Sequence, residues 1–182
     1  MFNLSTQDVV SSIEKTSLIK LHNHVYQEYM NFFGNTDIFD LDLTTTKFDK
    51  LERQTDFARK RLSYQNDFSK KLHIFFMNNK ITSALERKFS TKLKFSSVDY
   101  WIDSEGYFLS PHVDDTSIKL SVQIYLGSNQ PGTILTENGK PIKTFNFKDN
   151  CGYAMLLNKK TFHGLEYPVR QGGRRSIYAR YQ

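Results

Sequence analysis

The chain has 182 residues, 38% apolar and 14% aromatic, a size at which one domain can bury a substantial core. Its single cysteine, Cys151, excludes an intramolecular disulfide and any multi-cysteine zinc site, so a metal would have to rest on His, Asp and Glu. The formal charge of +6 comes from 25 basic and 19 acidic residues with no long basic run, a pattern that suits a solvated surface better than a nucleic-acid tract.

Neither a linker nor a repeat divides the sequence. The N-terminus MFNLSTQDVV has no basic leader, and no run of about 18 apolar residues occurs anywhere. A single soluble, cytoplasmic domain over residues 1–182 is expected, with no membrane partner and with the oligomeric state open.

In chain order, residues 1–92 read as helical. Ser5 followed by Asp8 has the form of a capping box. Leu18, Leu21, Val25, Tyr29 and Phe32 recur at helical spacing, with Gly34 placed to end that helix. Residues 35–46 read as a polar loop. Leu62, Phe68, Leu72 and Phe75, then Ile81, Leu85 and Phe89, mark two more helices broken near Asn78 and Asn79. From residue 93 the pattern changes to short strands rich in β-branched and aromatic residues, expected near 94–102, 107–113, 118–126, 133–136, 143–147, 153–157, 161–167 and 174–181. The expected class is α+β, mainly β: a double-stranded β-helix, or cupin-like jelly roll, over 93–182, with the N-terminal helices packed on the outer face of one sheet.

Within that run, His112 and Asp114 stand two apart, where a strand would direct both side chains to one point. His163 lies further on in an apolar-flanked stretch. Two imidazoles and one carboxylate on one side of a metal leave three positions open, as in non-heme iron(II) oxygenases. Beyond His163, Arg174 and Ser176 again share a strand face, and a guanidinium beside a hydroxyl suits the distal carboxylate of a dicarboxylic acid. Ile177 and Ala179 take the opposite, apolar parity, which puts Arg174 rather than Arg175 on the inner face. Lys119 and Tyr125 share the face of Ser121 and Gln123 and are candidate pocket residues. Asp115 faces away from Asp114, and His22, His24 and His73 fall in predicted helices without partners.

The order His-x-Asp, His, then Arg-x-Ser resembles the iron(II) and 2-oxoglutarate-dependent oxygenase superfamily, in particular its prolyl-4-hydroxylase-like branch. Gly106-Tyr-Phe-Leu-Ser-Pro-His-Val-Asp, Ile124-Tyr-Leu and Gly132-Thr-Ile-Leu carry the likeness further, over roughly residues 95–182. The resemblance implies that His112, Asp114 and His163 hold iron(II) and are catalytic, and that Arg174, assisted by Ser176, holds 2-oxoglutarate. It also implies O2 as the oxidant, allows for ascorbate, and points to hydroxylation of a small-molecule or peptidyl substrate with release of succinate and CO2. Asp114 stands where halogenating relatives lack a carboxylate, which argues against halogenation. Two alternatives stand beside this. Net positive charge and the spacing of Arg174 and Arg180 fit an AlkB-like nucleic-acid dealkylase, although the approach to His112 differs from that family's; a jelly-roll binding protein without catalysis is the other.

Overall fold

The computed structural model describes residues 5–21, 24–29, 48–50 and 59–182. Helix α1 (Thr6–Lys15) starts where the Ser5 hydroxyl accepts from the Asp8 N–H, and buries Val9, Val10 and Ile13. Helices α2 (Asp67–Phe76) and α3 (Asn79–Phe89) are capped by the Asn66 and Asn78 side chains, so the expected break near Asn78 is a new N-cap. Ser90 closes α3 in the left-handed region at φ 51°.

Two antiparallel sheets follow. The larger runs in the order β1-β2-β9-β6-β11-β5-β4-β3 and the smaller in the order β10-β7-β8. Their strands are β1 (Leu18–Leu21), β2 (His24–Tyr29), β3 (Phe48–Lys50), β4 (Arg59–Leu62), β5 (Phe95–Asp103), β6 (Leu120–Leu126), β7 (Thr133–Glu137), β8 (Lys140–Phe145), β9 (Gly152–Leu156), β10 (Phe162–Leu165) and β11 (Arg174–Tyr181). This is the expected jelly roll. One face of the larger sheet, through Val98, Val122, Ile124, Ile177 and Ala179, shares a single apolar cluster with buried residues of all three helices. The inward face carries the polar set.

Three expectations are corrected. The helix over Leu18, Leu21 and Val25 is instead a β1–β2 hairpin whose second strand pairs with β9 through Tyr26↔Met155 and Gln27↔Ala154. Long-range pairing outweighs helical spacing here: Tyr26 and Gln27 are buried on opposite faces, and the Gln27 amide donates to the Ile13 and Thr16 carbonyls at the end of α1. Phe32, Gly34 and the loop over 35–46 lie outside the described residues. Secondly, residues 1–92 are not simply helical, since β1 to β4 belong to the larger sheet and Leu62 ends β4 rather than opening a helix. Thirdly, no strand forms over 107–113; that segment makes only one isolated bridge, His112↔His163. No described helix is long and apolar enough to cross a membrane.

Candidate metal centre

That bridge builds the site. The N–H groups of His112 and His163 each donate to the other's carbonyl at 2.9 Å, which sets the two residues side by side with their rings 4.8 Å apart. Gly164 permits the approach: a Cβ there would lie 2.6 Å from the Leu109 carbonyl oxygen and 2.7 Å from the Pro111 nitrogen. Both are backbone atoms with little freedom to yield. Gly164→Ala should therefore push the segment carrying His112 off β10 and weaken metal binding by about tenfold to a hundredfold. Anaerobic titration calorimetry would measure it, and wild-type affinity would remove Gly164 from this role.

Each imidazole is oriented by a carbonyl two residues upstream. His112 Nδ1 lies 3.0 Å from Ser110 O and His163 Nδ1 lies 3.1 Å from Thr161 O. A carbonyl can only accept, so each Nδ1 carries the proton, and the neutral ring keeps its Nε2 lone pair for a metal. Asp114 follows the bridge outside any strand, so a loop rather than strand parity delivers it. Its Oδ1 lies 3.4 Å from His112 Nε2 and its Oδ2 3.5 Å from His163 Nε2. One ligand atom from each residue falls within 4.8 Å of the others. Tyr178 of β11 donates to Asp114 Oδ2 at 2.5 Å, which holds the carboxylate in place.

Burial pushes the Asp114 carboxyl upward, but the hydrogen bond it accepts when His112 is protonated at Nε2, nearby His163 and the Tyr178 hydroxyl outweigh it and leave the pKa at about 2. Asp114 is thus an anion at neutral pH. Burial lowers the pKa of His163, which favours the neutral ring that a metal would need. The hydrogen bond to Asp114 raises that of His112 against its own desolvation, so a proton there competes with a metal.

Arg174 closes the other end. It is 1% exposed; its Nε donates to Pro131 O at 3.1 Å, and its Nη1 to Asp103 Oδ2 at 3.0 Å and to Ser176 Oγ at 3.5 Å. Its Nη2 is buried with no hydrogen-bond partner among the described residues. Arg175, on the other parity of β11, is only half-buried. Arg174 and the three candidate ligands line one pocket, joined by Gln123, Thr133, Tyr153 and Tyr178. Ser176 is fully buried beneath it, bonded to Arg174 and to the Gln123 amide.

The other candidates fall elsewhere. Lys119 is exposed, and Tyr125 lies under the Arg174 guanidinium with its hydroxyl on Thr133. Asp115 is exposed and caps the Ser117 N–H. Contrary to the expected helix, His24 sits in β2, buried, with Nε2 2.8 Å from Lys160 O. His73 packs its ring edge-on to Phe95, and His22 lies outside the described residues. Cys151 is half-buried. Arg59 and Asp103 escaped the sequence reading because nothing local marks them. Tyr178 was within reach, as it shares the parity of Arg174 and Ser176.

No family model matches the chain, and no curated relative matches its sequence. Solved structures do share its fold. An oxidoreductase of the 2OG-Fe(II) oxygenase family from Burkholderia pseudomallei superposes with a TM-score of 0.65 at 14% identity, over 98% of this chain and 90% of that one. A prolyl 4-hydroxylase from Phytophthora capsici gives 0.64 at 13% identity, over 100% and 66%. HygX from Streptomyces hygroscopicus, solved with nickel, 2-oxoglutarate and hygromycin B, gives 0.60 at 9% identity, over 86% and 82%. The chain therefore has the jelly-roll fold found in 2-oxoglutarate and iron(II) oxygenases.

Proposed function

We propose that this protein is an iron(II)- and 2-oxoglutarate-dependent oxygenase that hydroxylates a small-molecule or peptidyl substrate. The carrying observation is the convergence, in one pocket, of two imidazole Nε2 atoms, the Asp114 carboxylate and a buried Arg174 with an unsatisfied Nη2. His112, Asp114 and His163 would hold iron(II), since two imidazole nitrogens and one carboxylate oxygen are the protein donor set of non-heme iron(II) oxygenases. With 2-oxoglutarate and O2, iron in such a site supplies oxidative decarboxylation to succinate and CO2 coupled to attack on a C–H bond.

The chain's own residues do the positioning. Arg174 receives the distal carboxylate through Nη2, while Asp103 and Ser176 hold the guanidinium still. Tyr178 keeps Asp114 from rotating. The apolar and aromatic wall of Leu109, Tyr153 and Leu165 limits water. HygX binds 2-oxoglutarate and hygromycin B, and a prolyl hydroxylase from Trichoplax adhaerens of the same fold binds a peptide fragment, which lends support to the cosubstrate and to a small-molecule or peptidyl substrate class.

Purified protein given iron(II), ascorbate and 2-oxoglutarate should release succinate slowly without any prime substrate, and faster with the right one. Screening amino acids, peptides, sugars and methylated nucleobases for stimulation tests the assignment. No succinate from iron-loaded protein overturns it; stimulation by methylated bases would replace the hydroxylase reading with the dealkylase.

A further inference from the structure

A second arginine enters the same pocket. Arg59 of β4 pairs across the sheet with Asp103 of β5, which pairs in turn with Arg174 of β11, so the three side chains form one row on the inward face. Asp103 is fully buried between the two guanidiniums. Arg59 Nε lies 2.9 Å from its Oδ1, and Arg174 Nη1 3.0 Å from its Oδ2. One carboxylate thus serves two cations. Along β5, Asp99 is likewise shared by Arg61 and Arg180. Among the described residues this face therefore carries four guanidiniums over two buried carboxylates, an arrangement that favours an incoming anion.

Arg59 is held as a rigid receptor. Its guanidinium lies 4.4 Å from the centre of the Trp101 ring and 5.4 Å from that of Tyr107, and stacking of this kind fixes the plane while leaving the N–H edge for a ligand. Present partners use that edge poorly. Nε is close to Asp103 without the alignment of a hydrogen bond, and Nη1 reaches the Tyr107 hydroxyl only at 3.5 Å. The Arg59 side chain is 16% exposed against 1% for Arg174, so it stands nearer to solvent.

We propose that Arg59 docks a carboxylate carried by the prime substrate, while Arg174 serves the cosubstrate; this rests on the oxygenase reading above. A planar two-oxygen anion matches the guanidinium fork. The pocket then has two carboxylate receptors tied through Asp103, and the less buried one selects substrates bearing a free carboxyl group over their amides or esters.

Trp101 is the single tryptophan and touches Arg59, so its fluorescence reports on this site without turnover. Zinc(II)-loaded protein with saturating 2-oxoglutarate is titrated with acetate, with neutral acetamide and with inorganic phosphate, and the acetate arm is repeated on metal-free protein. Acetate should shift the emission saturably and acetamide should not. Arg59→Gln should weaken the acetate response about tenfold or more and leave 2-oxoglutarate affinity within about threefold. Arg59→Lys, which keeps the charge and stem but not the fork, should fall between. Equal responses to acetate and acetamide, or a stronger response to phosphate, would overturn the carboxylate site. A loss of 2-oxoglutarate binding in Arg59→Gln as large as in Arg174→Ala would assign Arg59 to the cosubstrate instead. Failure of wild-type protein to bind 2-oxoglutarate is seen before acetate is added and overturns the oxygenase reading; the metal-free arm still decides Arg59.

Discussion

Asp114→Ala and His163→Ala should each lose most iron(II) binding and all 2-oxoglutarate turnover. If the three residues hold the metal as proposed, each variant leaves two protein ligands, too few to anchor it against water and buffer. The two should differ in the metal-free protein. Asp114 receives hydrogen bonds or favourable charge from His112, His163 and Tyr178, so its removal frees the Tyr178 hydroxyl and deprives His112 of the neighbour that raises its pKa. His163→Ala instead opens space beside Gly164 without stranding a charge. Anaerobic calorimetry with iron(II) reads the affinity and a succinate assay the turnover. Wild-type affinity in either variant would sink the metal assignment.

Arg174→Ala should weaken 2-oxoglutarate binding about a hundredfold or more while iron binding survives. A buried cosubstrate carboxylate left without its counter-charge costs on the order of 3 to 5 kcal/mol, and about 1.4 kcal/mol corresponds to a tenfold change. Arg175→Ala should change the affinity little. Strand pairing supports that contrast: Ile177 and Ala179, on the parity of Arg175, are fully buried in the cluster shared with the helices, whereas Arg174 lines the pocket. Arg174→Ala also takes from Asp103 one of its two guanidiniums, so the variant should melt at a lower temperature. Adding Asp103→Asn should recover part of that stability without restoring cosubstrate affinity, which separates the binding role from the structural one. Titrating 2-oxoglutarate into the iron-loaded variants is the measurement; a crippled Arg175→Ala with an intact Arg174→Ala would reverse the face assignment.

Much of the site was legible because it is written in short-range order. Arg174 and Ser176 sit on one face for the reason the sequence suggested, since alternation along a strand is a local property of the backbone. His112 and Asp114 were found by the same rule, yet neither lies in a strand: a single bridge to His163 and the loop after it place them. The three side chains do converge, but not through the strand alternation that the spacing suggested. Cross-sheet pairing that holds one backbone bridge beside Gly164 depends on what lies opposite, and nothing within a few residues of His112 encodes it.

The first half shows the same limit more strongly. A local capping signal marked the start of α1, because a side chain closing an N-terminus acts over two or three residues, and the break in apolar spacing near Asn78 marked the junction of α2 and α3. The β1–β2 hairpin was misread, since Leu18, Leu21 and Val25 fit a helix in isolation and become strands only when β9 offers its edge. With β4 hidden in a supposedly helical region, Arg59 could not be placed beside Asp103 and Arg174. By itself, then, the sequence determined the jelly-roll class, the metal-ligand candidates and the inward parity of Arg174, all carried by local periodicity and residue chemistry. Only the tertiary structure decided which strands complete the larger sheet and that two arginines share one buried carboxylate. Those depend on pairing between segments some forty to seventy positions apart, as between Arg59 and Asp103 or Asp103 and Arg174, whose cost in chain entropy is recovered only when the whole sheet forms.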